Sequence, residues 1–366
     1  MKKIAVLLIA LFIIGFPHVF AEKSLLTEDN GLPDRFSWRD IDGVDYTTPV
    51  KDQSPAPTCE TYALCAVLET IMQYQEQELF EPDLSETHLY FYAGGTYEAG
   101  GVNVLDAADY LVDYGVPDEG CYPDPHRPYD YPFESLEGWE NRTVKITQWG
   151  CIEKDYDAIK QGLIEYGPLV ICISCYSNFM SYKGGILDTI EGEREGGHLV
   201  ALMGYDDINR CWIVKNSWGD RWGEDGYVRI SYDIDIFISP CYGGTGFLYV
   251  DGVYGNFKPD VPKVYIERPD IYYTYICGLR IPTIFRDIAS LQKTAPRIIG
   301  RNVVKVSAEN TKKVEFYLDD TLRVTDENPP YKAVLYALPG MHTITVFAYS
   351  DSGNISMDIR DEILII

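Results

Sequence analysis

A change of pattern around residues 251–262 constrains the fold of this chain more than any other sequence feature. Before this segment, one long helical pattern is followed by many short strand-like runs, which indicates an α+β domain. After it, apolar and polar residues alternate, with Val314, Phe316 and Leu318 on one side of a predicted strand. Residues 251–262 are rich in Gly, Pro and Asp, so we interpret them as a linker between two domains.

The clearest helix in the first part covers residues 59–75, because apolar residues recur at helical spacing without Gly or Pro. Two further helices are predicted over residues 106–114 and 155–166, each followed by glycine. Strands are predicted over residues 169–175, 199–205, 211–215 and 226–230.

The amino-terminal 21 residues indicate the localisation of the protein. Lys2 and Lys3 precede an apolar run, residues 4–16, that is short for a bilayer span, and Val19 and Ala21 suit a cleavage site. We therefore predict a signal peptide over residues 1–21 and a secreted or cell-surface protein. The alternative is a retained membrane anchor at the same place.

The net charge of −25 argues against a nucleic-acid partner, because phosphate binding requires a basic surface. It is typical of a soluble protein exposed to the extracellular medium. The composition does not fix an oligomeric state.

The nine cysteines all follow residue 21, and an odd number in an exported chain leaves at least one thiol unpaired. A thiol nucleophile requires such a free cysteine, and the other eight are available for disulfides. Cys172 and Cys175 have the spacing of half a zinc site, but no second pair accompanies them. We expect no metal and no cofactor.

Four residues supply the groups that a thiol hydrolase needs. Cys59 stands at the predicted helix start, where the helix dipole favours a thiolate. His198 precedes an apolar strand and is a candidate base, and the Asn216 amide is suited to fix its tautomer. Gln53 precedes Cys59 by six residues and is a candidate oxyanion donor. Each residue alone has a structural explanation, so the hypothesis depends on the combination.

This combination resembles the papain family of cysteine peptidases. Residues 50–53 and the six-residue step to Cys59 are similar to the segment of the family that carries the oxyanion glutamine. Residues 197–205 resemble the strand of the catalytic histidine, and residues 212–227 resemble the asparagine motif almost letter for letter. The resemblance covers roughly residues 33–250.

The resemblance implies a helical subdomain that carries Cys59 and a β-barrel-like subdomain that carries His198 and Asn216. It implies that the Cys59 thiolate attacks a peptide carbonyl and forms a thioester, while Gln53 helps to hold the oxyanion. Protein or peptide substrates are then expected, with Gly100, Gly101 and Trp218 at the substrate-binding site. On this basis we predict a peptidase domain over residues 22–250.

Some residues depart from the pattern of the family. Pro57 and Glu60 replace a glycine and a tryptophan beside the nucleophile, and Glu98 stands where a disulfide cysteine is usual. Leu32 already begins a segment similar to a mature amino terminus, so no usual inhibitory propeptide is expected. These departures leave two alternatives open: a non-catalytic adhesion protein on a peptidase fold, or a thiol amidase or acyl transferase.

Residues 263–366 resemble the immunoglobulin-like modules of prokaryotic surface and secreted proteins. The likeness lies in residues 313–319, 329–331 and 342–346. It implies an all-β sandwich that serves as a spacer or contacts a cell surface or polymer.

Overall fold

The computed structural model describes residues 31–77, 79–96, 100–124, 134–241, 246–256, 261–270, 273–276, 278–282, 297–300 and 302–366. Its helices are α1 (Cys59–Glu76), α2 (Glu86–Tyr92), α3 (Val104–Asp113), α4 (Tyr156–Glu165) and α5 (Ser177–Met180), with a 3-10 turn at Trp139–Arg142. Its strands are β1 (Arg35–Ser37), β2 (Val116–Pro117), β3 (Thr143–Lys145), β4 (Gln148–Ile152), β5 (Leu169–Tyr176), β6 (Ile186–Leu187), β7 (Arg194–Asp206), β8 (Cys211–Lys215), β9 (Tyr227–Ser231), β10 (Phe237–Ile238), β11 (Phe247–Asp251), β12 (Tyr254–Gly255), β13 (Lys263–Arg268), β14 (Tyr273–Ile276), β15 (Leu279–Pro282), β16 (Arg297–Ile299), β17 (Asn302–Glu309), β18 (Lys313–Leu318), β19 (Thr321–Asp326), β20 (Lys332–Leu335), β21 (Gly340–Tyr349) and β22 (Ile355–Ile365).

Helix α1 is the centre of the helical half and is buried over most of its length. Leu64 and Leu68 are fully buried in a core that also contains Met203 of β7 and Leu248 of β11. A helix that is apolar on most sides is stable only inside a protein, because an exposed face would leave apolar surface in water. The α1 prediction is confirmed, with the helix ending one residue later than expected.

The predicted helices on either side of the core are also confirmed, with small shifts at their ends. Helix α3 begins at Val104, two residues earlier than predicted, because the Asn103 side chain accepts a hydrogen bond from the Leu105 backbone N–H. Helix α4 is capped in the same way by Asp155, whose carboxylate accepts from the Ala158 N–H.

A mixed sheet forms the other half of the domain, with the strand order β4-β11-β5-β7-β8-β9-β6. Strand β1 also pairs with β7, and β10 pairs with β5. Successive residues of β5, Val170 and Ile171, enter two different cores because side chains alternate across a strand. Strands β5 and β7 are antiparallel, and Ile173 lies opposite His198.

The carboxyl-terminal part of the chain consists of two β-sheets that face a common core. One has the order β13-β17-β20 and the other β15-β14-β16-β22-β21-β18-β19. Val304 of the first sheet and Phe316 and Val346 of the second are fully buried in this core. The alternation predicted at Val314, Phe316 and Leu318 is confirmed, since all three are buried.

The two parts of the chain are joined by a polar contact around Arg142. Its guanidinium pairs with the Asp118 carboxylate and also donates to the Ser356 hydroxyl, at 3.3 Å, and to the Ile355 carbonyl oxygen. The Met357 backbone N–H donates to the Gly120 carbonyl oxygen at 2.9 Å. Strand β22 is thereby fixed directly to the amino-terminal part of the chain.

Part of the segment interpreted as a linker has regular structure. Strand β12, at Tyr254–Gly255, pairs with β3, and Val253 is buried. The first half of residues 251–262 therefore packs with the preceding sheets. Gly and Asp frequency indicated a loop but could not reveal this pairing with a distant strand.

A disulfide links Cys151 of β4 with Cys241. Six other cysteines of the described residues are free, so the odd count does not by itself single out one thiol. The expectation that the remaining cysteines are available for disulfides is corrected in this respect: most of them are buried and pack as small apolar side chains. The free cysteines are Cys59, Cys65, Cys121, Cys172, Cys175 and Cys211.

The predicted signal peptide, residues 1–21, lies outside the described residues, as does Glu98. Among the helices that the structure describes, none combines the length and apolar character needed to cross a membrane.

Candidate active site

Cys59 is the first residue of α1 and directly follows a tight turn. In this turn the Ala56 backbone N–H donates to the Gln53 carbonyl oxygen at 3.0 Å. The Cys59 thiol accepts a hydrogen bond from the backbone N–H of Leu199 in β7. The thiol of the helical half therefore touches the strand that carries His198.

His198 is the first buried residue of β7 and is held on two sides. Its Nε2 lies 2.7 Å from the Asn216 amide oxygen, which follows the end of β8. The Trp218 indole stacks on the imidazole, with ring centroids 4.6 Å apart. Because an amide oxygen accepts, Nε2 carries the hydrogen and Nδ1 is left as the basic nitrogen. The ring is thus fixed in one tautomer and one orientation.

The Gln53 side chain is buried and fully positioned by two polar contacts. Its amide oxygen accepts from the Ser217 hydroxyl at 2.6 Å, and its Nε2 donates to the Ala56 carbonyl oxygen at 3.1 Å. A primary amide nitrogen has two hydrogens, so one N–H is still available to a ligand. Ser217 was not identified from the sequence, although its place between Asn216 and Trp218 in the motif is a usable signal.

Gly101 lies next to the side chain of Glu60, the residue after the nucleophile, and Gly100 directly precedes it in the chain. Both have positive φ, 70° and 150°, in the region that favours glycine. A Cβ atom added at Gly101 would lie 2.8 Å from Glu60 Oε1. The absence of side chains here leaves room for Glu60 and keeps the backbone accessible.

Burial favours the neutral forms of the two central groups. Burial raises the pKa of the Cys59 thiol, and the Glu60 carboxylate raises that pKa further, whereas the Leu199 N–H lowers it. Burial lowers the pKa of His198 to about 4, although the hydrogen bond to Asn216 acts in the opposite direction. The helix start was expected to favour a Cys59 thiolate, and the surroundings of the thiol oppose that effect.

A second buried network of polar side chains links the segment before Cys59 to the segment around Asn216. Lys51 pairs with the Glu69 and Glu86 carboxylates at 2.9 and 2.7 Å. Lys215, directly before Asn216, donates to the Thr48 carbonyl oxygen at 2.7 Å. These contacts join the segment before Cys59 to α1, α2 and β8 and so hold together the elements that carry the site.

The part of the chain that carries these residues matches a known family. The model of the papain family of cysteine proteases matches residues 32–242, more than half of the chain. The chain belongs to this family. The match ends near Cys241 and does not extend into the carboxyl-terminal sheets.

Individual papain-family proteins are similar over the same part of the chain. A viral cathepsin of Cydia pomonella granulosis virus is 30% identical over 207 residues, which cover 55% of this chain and 58% of that protein. Cysteine proteinase B of Leishmania mexicana is 31% identical over 224 residues, covering 58% and 48%. The chain therefore spans about half the length of the curated relatives that it matches. The bromelain protease of Ananas comosus, solved in complex with the E64 inhibitor, is 27% identical with a TM-score of 0.50, covering 60% of this chain and 100% of that one.

Proposed function

We propose that this chain is an exported cysteine peptidase that hydrolyses bonds in proteins or peptides, with Cys59, His198, Asn216 and Gln53 as its catalytic residues. The observation that carries the proposal is the contact between the two halves. The Cys59 thiol at the start of α1 accepts a hydrogen bond from the backbone N–H of Leu199, the residue after His198. His198 is itself oriented by the Asn216 amide. Membership of the papain family and the asparagine motif in residues 212–227 support the same assignment.

In the proposed reaction, His198 Nδ1 takes the Cys59 proton as the sulfur attacks the substrate carbonyl carbon. The resulting oxyanion is held by the free N–H of the Gln53 amide and by the Cys59 backbone N–H. His198 then gives its proton to the leaving amine, and the thioester forms. Water, activated by the now neutral His198, hydrolyses the thioester and restores the thiol.

The proposed substrate site lies along the Gly100–Gly101 backbone and the Trp218 ring. The positive φ values of the two glycines and their lack of side chains suit close approach of a peptide backbone. Trp218 covers the His198–Asn216 hydrogen bond and keeps water away from it, which strengthens the bond.

We further propose that residues 1–21 are removed as a signal peptide and that residues 263–366 form an immunoglobulin-like module. The two facing sheets and their shared core support a β-sandwich. The module is a candidate for contact with a cell surface or polymer. Amino-terminal sequencing of the exported protein should begin at Glu22.

Hydrolysis of an unfolded protein substrate tests the main proposal. In mild reductant, we expect the purified protein to cleave denatured casein and E64 to abolish the cleavage. Cys59→Ala should be inactive, whereas Cys65→Ala, a matched change to a buried cysteine of the same helix, should keep activity. Cleavage that survives Cys59→Ala would remove Cys59 from the mechanism. Absence of cleavage in the wild-type protein would favour a non-catalytic role or a thiol amidase or acyl transferase.

A further inference from the structure

The side chain of Glu60 occupies an unusual place beside the nucleophile. It follows Cys59 in the first turn of α1, and its carboxyl group hydrogen-bonds to the Cys59 thiol. Its Oε1 faces Gly101, where an added Cβ would lie only 2.8 Å away. Its Oε2 is buried and has no hydrogen-bond partner among the described residues. A carboxyl group is therefore enclosed between the reactive sulfur and the proposed substrate-binding backbone.

The groups around Glu60 leave its charge largely uncompensated. Cys59 faces it from α1, Tyr90 from α2 and Cys172 from β5. The 100–102 segment contributes only backbone, with the Val102 N–H near the carboxylate. Within the described part of the chain, no lysine or arginine forms an ion pair with Glu60. Each titratable neighbour is a thiol or phenol, so ionisation of Glu60 adds a negative charge next to the sulfur.

We propose that Glu60 controls the nucleophile by its own protonation: the neutral carboxylic acid supports the Cys59 thiolate, and the carboxylate suppresses it. The neutral acid can donate its O–H to the thiolate sulfur. The ionised form can only accept, so it binds the S–H of the neutral thiol and keeps the proton on sulfur. This inference rests on the proposed role of Cys59.

The direction of the pH effect follows from burial of the carboxyl group. Burial raises the pKa of Glu60 to about 7, while the neighbouring backbone N–H groups and the Cys59 thiol act in the opposite direction. Below about pH 7 the acid is neutral and adds no negative charge beside the sulfur. As the pH rises above that value, Glu60 ionises and raises the pKa of Cys59, so the thiolate population increases less than it would beside a side chain that stays neutral. A like charge at this range changes a neighbouring pKa by at least about one unit, which is about tenfold in thiolate.

The test is the rate at which iodoacetamide alkylates Cys59 between pH 5.5 and pH 8.5, followed by peptide mapping. We expect the wild-type rate to rise less steeply than that of Glu60→Gln as the pH passes through about 7. Glu60→Gln keeps the shape but cannot ionise, so at pH 8.5 it should react about tenfold faster than the wild type. At pH 5.5 the two should agree within about threefold, since neither side chain is charged. Glu76→Gln, which removes an exposed carboxylate from the end of the same helix, should follow the wild-type profile.

The outcomes separate this inference from the proposed function. If wild type and Glu60→Gln show the same pH profile, another group controls the thiol and the inference about Glu60 is wrong. If neither protein alkylates preferentially at Cys59 at any pH, the assignment of Cys59 itself fails. Should Glu60→Gln not fold, as judged by circular dichroism, Glu60→Leu provides the same comparison without charge.

Discussion

Replacement of Gln53 by alanine should slow peptide hydrolysis without changing the reactivity of the thiol. The Gln53 amide is held by the Ser217 hydroxyl on its oxygen and by the Ala56 carbonyl on one hydrogen, which leaves its second N–H for a ligand. A donor of this kind, aimed at a developing oxyanion, typically contributes about 2.7–4 kcal/mol to the transition state. We therefore expect Gln53→Ala to lower kcat by about 10²–10³-fold.

Two assays on the same variant distinguish an oxyanion donor from a residue that activates or merely supports Cys59. The first measures kcat on a fluorogenic peptide. The second measures the rate of alkylation of Cys59 by iodoacetamide, which displaces iodide from a tetrahedral carbon and develops no oxyanion. We expect alkylation of Gln53→Ala to stay within about twofold of the wild type, because only the peptide reaction needs the donor.

Ser217→Ala is the matched control for the position of the amide. It keeps the Gln53 side chain but removes one hydrogen bond, at 2.6 Å, that orients it. Such a bond contributes about 0.5–1.5 kcal/mol, so kcat should fall by no more than about tenfold. The reasoning is refuted if Gln53→Ala slows alkylation and hydrolysis by the same factor, since Gln53 would then act on the thiol or on folding.

Three further predictions concern the histidine, acid stability and the disulfide. Asn216→Ala removes the acceptor at 2.7 Å from His198 Nε2 and should lower kcat/KM by about 10–100-fold, the value of a hydrogen bond to a group that becomes charged. Burial lowers the pKa of His88 to about 3, so as the pH falls below about 6.5 the unfolded chain binds a proton that the folded chain does not, and the wild type loses stability. Between pH 7 and pH 5 the loss measured by urea unfolding should be about 2 kcal/mol smaller in His88→Phe than in the wild type. Replacing both Cys151 and Cys241 by alanine opens a link across 90 residues of sequence and should lower the free energy of unfolding by about 4 kcal/mol, measured by the same method. The first prediction is contradicted if kcat/KM falls by less than about threefold. The second is contradicted if His88→Phe loses as much stability as the wild type over this pH range, and the third if the free energy of unfolding does not change.

Local patterns in the sequence predicted the elements whose residues interact with near neighbours. The helix at Cys59 follows from apolar spacing without Gly or Pro, and the strand at Val314 follows from alternation; both are confirmed. The motif around Asn216 predicted a histidine partner, and the structure brings the Asn216 amide to His198. These features need only the residues within one or two turns or along one strand.

Features that depend on distant parts of the chain were not accessible in the same way. The Arg142 contact with Ile355 joins residues 213 positions apart, and no local pattern indicates it. The burial of Cys59 also escaped prediction, because it arises from packing between two halves of the domain and not from the helix start. The odd cysteine count failed to isolate the nucleophile because buried thiols are stable in a core without pairing.

The most direct test of the account is to locate the atom that E64 modifies. The purified wild-type protein and His198→Ala would each be treated with E64 in mild reductant and mapped by mass spectrometry. The account predicts one adduct, on Cys59, in the wild type and a large loss of that adduct in His198→Ala. Modification of Cys172 in place of Cys59, or equal modification of Cys59 in both proteins, would contradict the claim that Cys59 and His198 form the reactive pair.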